Sequence, residues 1–270
     1  MPDLPPSLRL VYHESEPHPR DVPLGDVYVD LPFPETPEER PYLFVNMVQT
    51  LDGQAVLRGS AYTIGTDVDH YLLRQLRANA DAVLSGAGSV RKDDVIITTH
   101  RHLQERRAGR GQPRRPLSVV VTATCAFTDE VLATKKFFQR TDLTRVILTT
   151  RRAATEDIAR VRAHGVEVEV MDANASGDVD LQAGLRYLRE HRGVGRMLCE
   201  GGPTLNVSLA REGLLDELFV TTTLRLGGDP NEPRIVSAPV SERPLQLISE
   251  LHYADATGVR ELYLRFRFPR

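Results

Sequence analysis

Short apolar runs alternate with segments of helical periodicity from Pro41 onward, and this alternation restricts the fold more than any other feature of the sequence. β-branched runs separated by segments with a 3.6-residue period are typical of a parallel sheet covered by helices. The sequence therefore predicts an α/β fold. The predicted strands are Tyr42–Val48, Ala82–Ser85, Leu117–Thr122, Arg145–Thr149, Val166–Val170, Met197–Glu200 and Leu218–Leu224.

Helices are predicted between these strands. The clearest has Thr66 as its N-cap and Asp69 three residues later, as in a capping box. One face of this helix carries an apolar stripe that consists of Val68, Leu72 and Leu76. Further helices are predicted at Thr155–His164, Val179–His191 and Pro203–Glu212.

The two ends of the chain differ from its middle. Residues 1–40 are rich in proline and acid and are predicted to form an irregular N-terminal arm, in which Val27–Leu31 alternates enough to add as an edge strand. At the other end, Leu245–Leu251 and Val259–Phe268 predict an antiparallel hairpin. No repeat or linker divides residues 41–270, so we expect one domain with a mainly parallel central sheet and antiparallel C-terminal edge strands.

Composition narrows the class of partner. The formal net charge of -3 argues against a nucleic-acid partner for the whole surface, so a small molecule is expected. Cys125 and Cys199 are far apart in the chain and predict buried thiols, neither a disulfide framework nor a cysteine zinc site. No signal-peptide pattern and no apolar run of about 20 residues is visible, which predicts a cytoplasmic protein that does not bind a membrane.

Two glycine turns follow predicted strands and suit a phosphate group. Ligands of open α/β sheets bind beyond the carboxyl ends of strands, where glycine exposes backbone N–H groups and helix N-termini favour anions. Either turn alone also fits a structural role, but two at corresponding strand ends favour a diphosphate site. The turns are Gly86-Ala87-Gly88-Ser89 and Glu200-Gly201-Gly202-Pro203-Thr204-Leu205.

A Rossmann dehydrogenase is the natural competitor for such turns. Its G-x-G-x-x-G fingerprint needs a third glycine where Arg91 stands, and its turn follows the first strand of the sheet. This chain meets neither requirement.

Five segments of the chain form a recognisable series of motifs: Asn46–Gly53, Leu76–Ala82, Gly86–Asp94, Glu200–Leu205 and Leu215–Leu218. In order and spacing they resemble the pyrimidine reductases of riboflavin biosynthesis, which include the reductase half of the bacterial deaminase/reductase, and in particular the stand-alone form. The resemblance spans about residues 41–230 and implies a three-layer fold like that of dihydrofolate reductase, acting as a homodimer. It also implies NADPH as hydride donor and a ribosylamino-pyrimidine 5′-phosphate as substrate, reduced to the ribitylamino product.

The resemblance also implies roles for individual residues. Glu200 and Asp93 are the expected catalytic acids, Glu200 toward the substrate and Asp93 beside the nicotinamide nucleotide. The expected substrate site contains Arg77, Glu200, Ile97, Gln54 and His100. The expected cofactor site contains Val48, Gly86, Ala87, Gly88, Ser89, Asp93, Gly201, Gly202, Pro203, Thr204 and Leu205. Thr122 is added to this site from its position at the end of a predicted strand alone.

Two of these positions depart from the family pattern. Gln54 stands where lysine is usual, and His100 stands where arginine is usual. Reduction of another pyrimidine or pterin, dihydrofolate included, is therefore an alternative. A dinucleotide-binding protein without catalytic activity is another.

Three further features of the sequence bear on function. Residues 101–115 carry six arginines and predict a solvated loop, with a mobile lid that attracts phosphorylated ligands as the alternative. His100 and His102 have no third ligand nearby, so no metal is expected. The H-x-E and P-C-x-x-C motifs of a zinc deaminase are absent from the sequence, so on the pathway that the resemblance implies another chain is expected to carry out deamination.

Overall fold

The computed structural model describes residues 4–93, 97–236, 240 and 244–269. Among these residues no helix is long and apolar enough to cross a bilayer. The elements are, in chain order, β1 Ser7–His13, β2 Arg20–Pro23, β3 Tyr42–Thr50, α1 Asp67–Ala78, β4 Ala82–Gly86, α2 Ala87–Lys92, α3 Arg101–Gly109, β5 Leu117–Val121, α4 Asp129–Thr134, α5 Lys136–Gln139, β6 Arg145–Thr149, α6 Thr155–Ala163, β7 Glu167–Val170, α7 Leu181–Arg192, β8 Arg196–Cys199, α8 Pro203–Arg211, β9 Glu217–Thr223, β10 Gln246–Asp255 and β11 Gly258–Arg267.

The chain forms two compact units, each built from separate segments. Unit 1 comprises the described residues of Met1–Phe33, Leu43–Asn79 and Pro203–Arg270. Unit 2 comprises those of Pro34–Tyr42 and Ala80–Gly202. The single domain expected over residues 41–270 stays a prediction.

Unit 2 is a parallel sheet with helices, as the alternating pattern predicts. Its strands lie in the order β8-β4-β5-β6-β7, and every pairing is parallel. All five strands fall within one residue of the predicted bounds at either end. Long apolar side chains from α2, α4, α5 and α6 cover β5, β6 and β7 in a buried core that includes Val90, Phe127, Leu132, Phe138, Ile147 and Val161.

The side chain and backbone of one aspartate join three strands of unit 2 where they begin. Asp81 directly precedes β4, and its Oδ2 accepts hydrogen bonds from the backbone N–H groups of Gly195 and Arg196, each at 2.9 Å, at the start of β8. Its backbone N–H donates to the Arg196 carbonyl, and its own carbonyl accepts from Leu117 at the start of β5, both at 2.8 Å. Since parallel strands keep a constant register, these bonds also fix which residues end at the same level at the opposite edge.

Unit 1 combines one parallel pairing with antiparallel strands. Its strands lie in the order β2-β1-β10-β11-β9-β3, where β3 and β9 are parallel and the other neighbours are antiparallel. The C-terminal hairpin is confirmed as β10 and β11. The predicted class, an α/β fold of parallel strands with antiparallel edge strands, is confirmed.

The N-terminal arm departs from its prediction. It is not irregular, because β1 pairs with β10 and β2 pairs with β1. The edge strand expected at Val27–Leu31 is wrong: this segment follows a 3-10 turn at Leu24–Asp26 and packs on α1. Asn79 receives the Leu31 N–H on its Oδ1 at 3.0 Å, and its Nδ2 donates to the Tyr28 carbonyl at 2.7 Å.

The prediction of a loop at residues 101–115 is also wrong for the first part of this segment, which forms α3. Arg107 explains the difference, because its side chain is only 2 % exposed. Its Nε donates to the Pro113 carbonyl at 2.9 Å and its Nη1 to the Ala80 carbonyl at 2.6 Å. These hydrogen bonds hold α3 against the residues that precede β4. The first part of the segment is therefore neither a solvated loop nor a mobile lid.

A buried polar cluster holds the start of α1 in unit 1. Thr66 caps α1 by accepting the Val68 N–H at 3.2 Å, as predicted. The prediction of Asp69 as the capping-box partner is wrong, however. Glu261 on β11 accepts hydrogen bonds from the Thr66 N–H at 2.7 Å and from the Thr66 hydroxyl at 2.6 Å. Asp69 is instead buried beside Glu261, and this burial raises its pKa to about 7.

The raised pKa of Asp69 predicts that stability falls as pH rises. Because the folded state holds the Asp69 proton until about pH 7 and the unfolded state releases it near pH 4, the free energy of unfolding should decrease between these values and then level off. We expect Asp69→Asn, which cannot titrate, to gain roughly 1–3 kcal/mol over the wild type at pH 8 and little at pH 4. Urea unfolding at both pH values measures this.

Asp67→Asn provides the matched control, since Asp67 is exposed in the same helical turn. It should show no gain at pH 8. An equal pH dependence in wild type and Asp69→Asn would contradict the assignment of the titration to Asp69.

Candidate active site

The first glycine turn lies at the carboxyl end of β4. Gly86 ends the strand, and α2 begins at Ala87 without any irregular connection. Gly88 lies in the first turn of α2, and a Cβ placed there would meet no atom within 4 Å. The backbone at Gly88 is therefore open on the side where a side chain would project.

The second glycine turn, after β8, contacts the first. The Gly86 N–H donates to the Gly201 carbonyl at 2.8 Å, and the Glu200 N–H donates to the Leu84 carbonyl at 2.9 Å. A Cβ at Gly202 would lie 3.4 Å from Ser89 Oγ. Gly201 has φ of +77°, which a glycine adopts without steric cost. The two turns predicted to bind one diphosphate thus lie side by side in unit 2.

Thr122 belongs to the same edge of the sheet. It follows β5, the neighbour of β4, and is largely buried, at 8 % exposed. Its backbone N–H donates to the Leu148 carbonyl on β6 at 3.1 Å. Gly86, Thr122 and Gly201 are therefore brought together at the carboxyl ends of adjacent strands, the usual ligand-binding position in such sheets.

The two predicted catalytic acids both belong to unit 2. Glu200 is half-buried between β8 and the second glycine turn. Asp93 follows α2, where its backbone N–H donates to the Ser89 carbonyl at 2.8 Å, and its side chain is also half-buried. Asp94, the second acid of the motif, lies outside the described residues.

Other predicted site residues belong to unit 1. Val48 lies on β3 opposite Thr221 of β9. Arg77 is buried in the last turn of α1, at 8 % exposed. Pro203, Thr204 and Leu205 form the first turn of α8, as predicted. The positions of these residues relative to the glycine turns stay predictions.

Ile97 and His100 also belong to unit 2. Ile97 is buried, at 2 % exposed. His100 precedes α3, and its ring stacks on that of His102, with centroids 5.6 Å apart. No three His, Cys, Asp or Glu side chains among the described residues are arranged to hold a metal ion.

Gln54, the residue that stands in the usual lysine position, follows a tightly held turn. Asp52 accepts the backbone N–H groups of Gly227 and Gly228 at 3.0 and 2.9 Å and the Thr50 hydroxyl at 2.5 Å. These bonds hold the pKa of Asp52 well below its usual range. Gln54 Nε2 donates to the Asp229 carbonyl at 2.5 Å, while its buried Oε1 has no partner among the described residues.

A polar cavity of about 700 Å³ opens beside Gln54. Arg58 and Arg225 line it, together with Thr63, Asp229 and Glu232. Neither arginine was predicted from the sequence as a site residue. Arg225 lies two residues after the carboxyl end of β9, and a basic residue just beyond a strand end is the sequence signal that could have identified it.

The two cysteines are unreactive core residues. Both are fully buried thiols, as predicted. Burial raises the pKa of Cys125 to about 11 and that of Cys199 to about 12, so neither is a thiolate at neutral pH.

The sequence matches the RibD C-terminal domain over residues 41–259. The chain belongs to the RibD C-terminal domain family. A protein of Archaeoglobus fulgidus named 2,5-diamino-6-ribosylamino-4(3H)-pyrimidinone 5′-phosphate reductase is 34% identical over 183 residues, which are 67% of this chain and 79% of that protein. One of the same name from Methanothermobacter thermautotrophicus is 31% identical over 67% of this chain and 76% of its own length.

A solved structure supports the fold. A pyrimidine reductase-like protein of Corynebacterium diphtheriae superposes with a TM-score of 0.72 at 21% identity, over 85% of this chain and 92% of that chain. The RibD C-terminal domain family is one of reductases, and the hydride donor that fits such an enzyme is a nicotinamide dinucleotide. The adjacent glycine turns of unit 2 fit its diphosphate, since the open backbone at Gly88 lets a phosphate approach.

Gly88→Asp should lower dinucleotide affinity without lowering stability. The new side chain has room, since nothing lies within 4 Å of its Cβ, but its charge would repel a diphosphate. We expect NADPH to bind at least about tenfold more weakly to Gly88→Asp than to the isosteric Gly88→Asn, with both variants melting near the wild-type temperature. Calorimetric titration measures the affinities. Equal affinities for the two variants would argue against a diphosphate at this turn.

Proposed function

We propose that the protein catalyses the NADPH-dependent reduction of a ribosylamino-pyrimidine 5′-phosphate to the ribitylamino product. The observation that carries this proposal is the hydrogen bond between Gly86 and Gly201, which joins two phosphate-type turns at neighbouring strand ends. Two relatives more than 30% identical, over most of their length, bear the name of a reductase of such a substrate.

NADPH, when bound, would supply the hydride that converts the opened ribosyl group into a ribityl chain. Gly86, Gly88, Ser89, Gly201 and Gly202 would hold its diphosphate through their backbone groups and the Ser89 hydroxyl. Ala87, Thr122, Pro203, Thr204, Leu205 and Val48 would complete the cofactor contacts. Much of the rate would come from positioning, because hydride transfer requires the two reacting carbons to be held close together.

The acids would act on the two reactants. Glu200 stands half-buried at a strand end, where a carboxylate that accepts hydrogen bonds from pyrimidine N–H groups would hold the ring in one orientation. Asp93 would lie against the nicotinamide nucleotide. Arg77 would contact the substrate, and Ile97, Gln54 and His100 would complete its site.

The choice of pyrimidine is tested first. The relatives named above favour the 2,5-diamino-pyrimidinone form, and the resemblance to the bacterial deaminase/reductase favours its deaminated form. Each compound is incubated with the protein and NADPH, and oxidation of NADPH is followed by absorbance. We expect turnover with at least one of them. A well-folded protein that oxidises NADPH with neither compound would refute the proposed reaction.

The same assay separates the alternatives. Turnover of dihydrofolate but of neither ribosylamino-pyrimidine would identify a pterin reductase. NADPH binding by calorimetry without turnover of any of these compounds would identify a binding protein that lacks catalysis. The expected homodimer and cytoplasmic location belong to the same proposal, and sedimentation of the purified protein tests the first of them.

Glu200→Gln should lower kcat/KM because it keeps the shape of the side chain and removes its charge. We expect a loss of roughly 100-fold, typical of a positioned group that acts on the reacting molecule, with NADPH affinity nearly unchanged. Steady-state kinetics and calorimetry measure the two quantities. Glu190→Gln, on the exposed face of α7 in the same unit, is the matched control and should retain full activity. Full activity in Glu200→Gln would remove Glu200 from the site.

A further inference from the structure

We propose that Arg151 and Arg152 bind the 2′-phosphate of NADPH and give the protein its preference for this cofactor over NADH. This inference rests on the proposed function, which requires a dinucleotide but does not by itself choose between the phosphorylated and unphosphorylated forms.

The direction of the bound dinucleotide follows from the strand order of unit 2. Its glycine turns lie at the ends of β8 and β4, and from there the sheet of this unit continues only to β5, β6 and β7. Neighbouring strands are about 4.8 Å apart, so the end of β6 lies roughly 10 Å from that of β4. An adenosine half that extends from the diphosphate along this edge reaches the ends of β5 and β6.

The turn after β6 presents two adjacent arginines at that edge. The Ala153 N–H donates to the Thr150 carbonyl at 3.0 Å, which closes a tight turn with Arg151 and Arg152 at its centre. The buried Thr150 hydroxyl donates to the Ala123 carbonyl at 2.8 Å, and it accepts the Arg152 N–H at 3.1 Å. The arginine turn is thus bonded to the segment that directly follows Thr122.

The side chains of Arg151 and Arg152 differ in how many of their N–H donors already have a partner. Arg152 Nη1 donates to the Gly177 carbonyl at 3.2 Å, which positions its guanidinium group beside the loop that follows β7. Arg151 is exposed and makes no hydrogen bond or ion pair with any described residue. An exposed guanidinium with five N–H donors is suited to a phosphate dianion, which it can bind through two parallel bonds.

Neither Arg151 nor Arg152 forms an ion pair with a described carboxylate. The carboxylates of Asp129 on α4 and Asp157 on α6 both accept hydrogen bonds from Arg160. Arg91, the cation on the β4 side, is engaged with the Ala126 carbonyl at 2.9 Å and stacks over the Phe127 ring at 4.9 Å. Arg151 therefore offers an exposed guanidinium group with no hydrogen bond or ion pair to a described residue, in a turn that is bonded to Ala123, the residue after Thr122.

The test is a calorimetric titration of the full chain with NADP⁺ and, separately, NAD⁺. We expect the wild type to bind NADP⁺ more tightly. Arg151→Gln should weaken NADP⁺ binding about tenfold while leaving NAD⁺ binding unchanged, because NAD⁺ has no 2′-phosphate. Arg151→Lys should keep most of the preference, and Arg151→Gln combined with Arg152→Gln should remove most of it.

Arg114→Gln is the control, since Arg114 is an exposed arginine at the opposite, amino-terminal end of β5. It should leave both affinities unchanged, and thermal unfolding should show that every variant is folded. An unchanged ratio of affinities in the double variant, or a wild type that prefers NAD⁺, would overturn this inference while reduction of the pyrimidine could still be measured. A wild type that binds neither nucleotide would overturn the proposed cofactor as well.

Discussion

Asp81 determines which backbone groups of unit 2 lie together at the proposed ligand site. It binds backbone N–H groups at the start of β8, and the backbone of the same residue pairs with β8 on one side and β5 on the other. The register of the three strands is set at their amino ends. Gly86, Thr122 and Gly201 therefore lie close to one another at the carboxyl ends, four or five residues later. A residue far from the proposed chemistry therefore places the groups on which the chemistry depends.

The sequence predicted unit 2 well because its strands are short, apolar and buried between helices, which makes hydrophobic periodicity a strong signal. It predicted the position of both glycine turns for a similar reason, since both follow strands of one parallel sheet. The hydrogen bond between the turns depends on the adjacency of β4 and β8, which the structure shows. Strands β1 and β2 escaped prediction because Ser7–His13 alternates only weakly and gains its stability from pairing with β10, more than 230 residues later. Helix α3 escaped because Arg107, a charged residue, is buried by bonds to carbonyls that no local pattern reveals.

Several charged residues of the family-like motifs serve the fold. In the Leu215–Leu218 segment, Asp216 accepts the Leu43 N–H at 2.8 Å, and Glu217 forms two hydrogen bonds with Arg265 in the interior of unit 1. Arg265 also stacks over the rings of Phe33 and Phe219, so the ion pair is enclosed by aromatic side chains. A motif recognised in a sequence thus contains residues of two kinds, and only the structure separates those that hold strands from those available to a ligand.

The pairing of β1 with β10 has a consequence for how the protein can be shortened. The family match begins at residue 41, which makes that position an inviting start for a minimal reductase. Removal of the arm would, however, uncover the backbone donors and acceptors along β10, a strand of ten residues that includes the buried Ile248 and Leu251. A bare edge of this length is a template for pairing with another chain, so the N-terminal arm serves as a barrier to self-association.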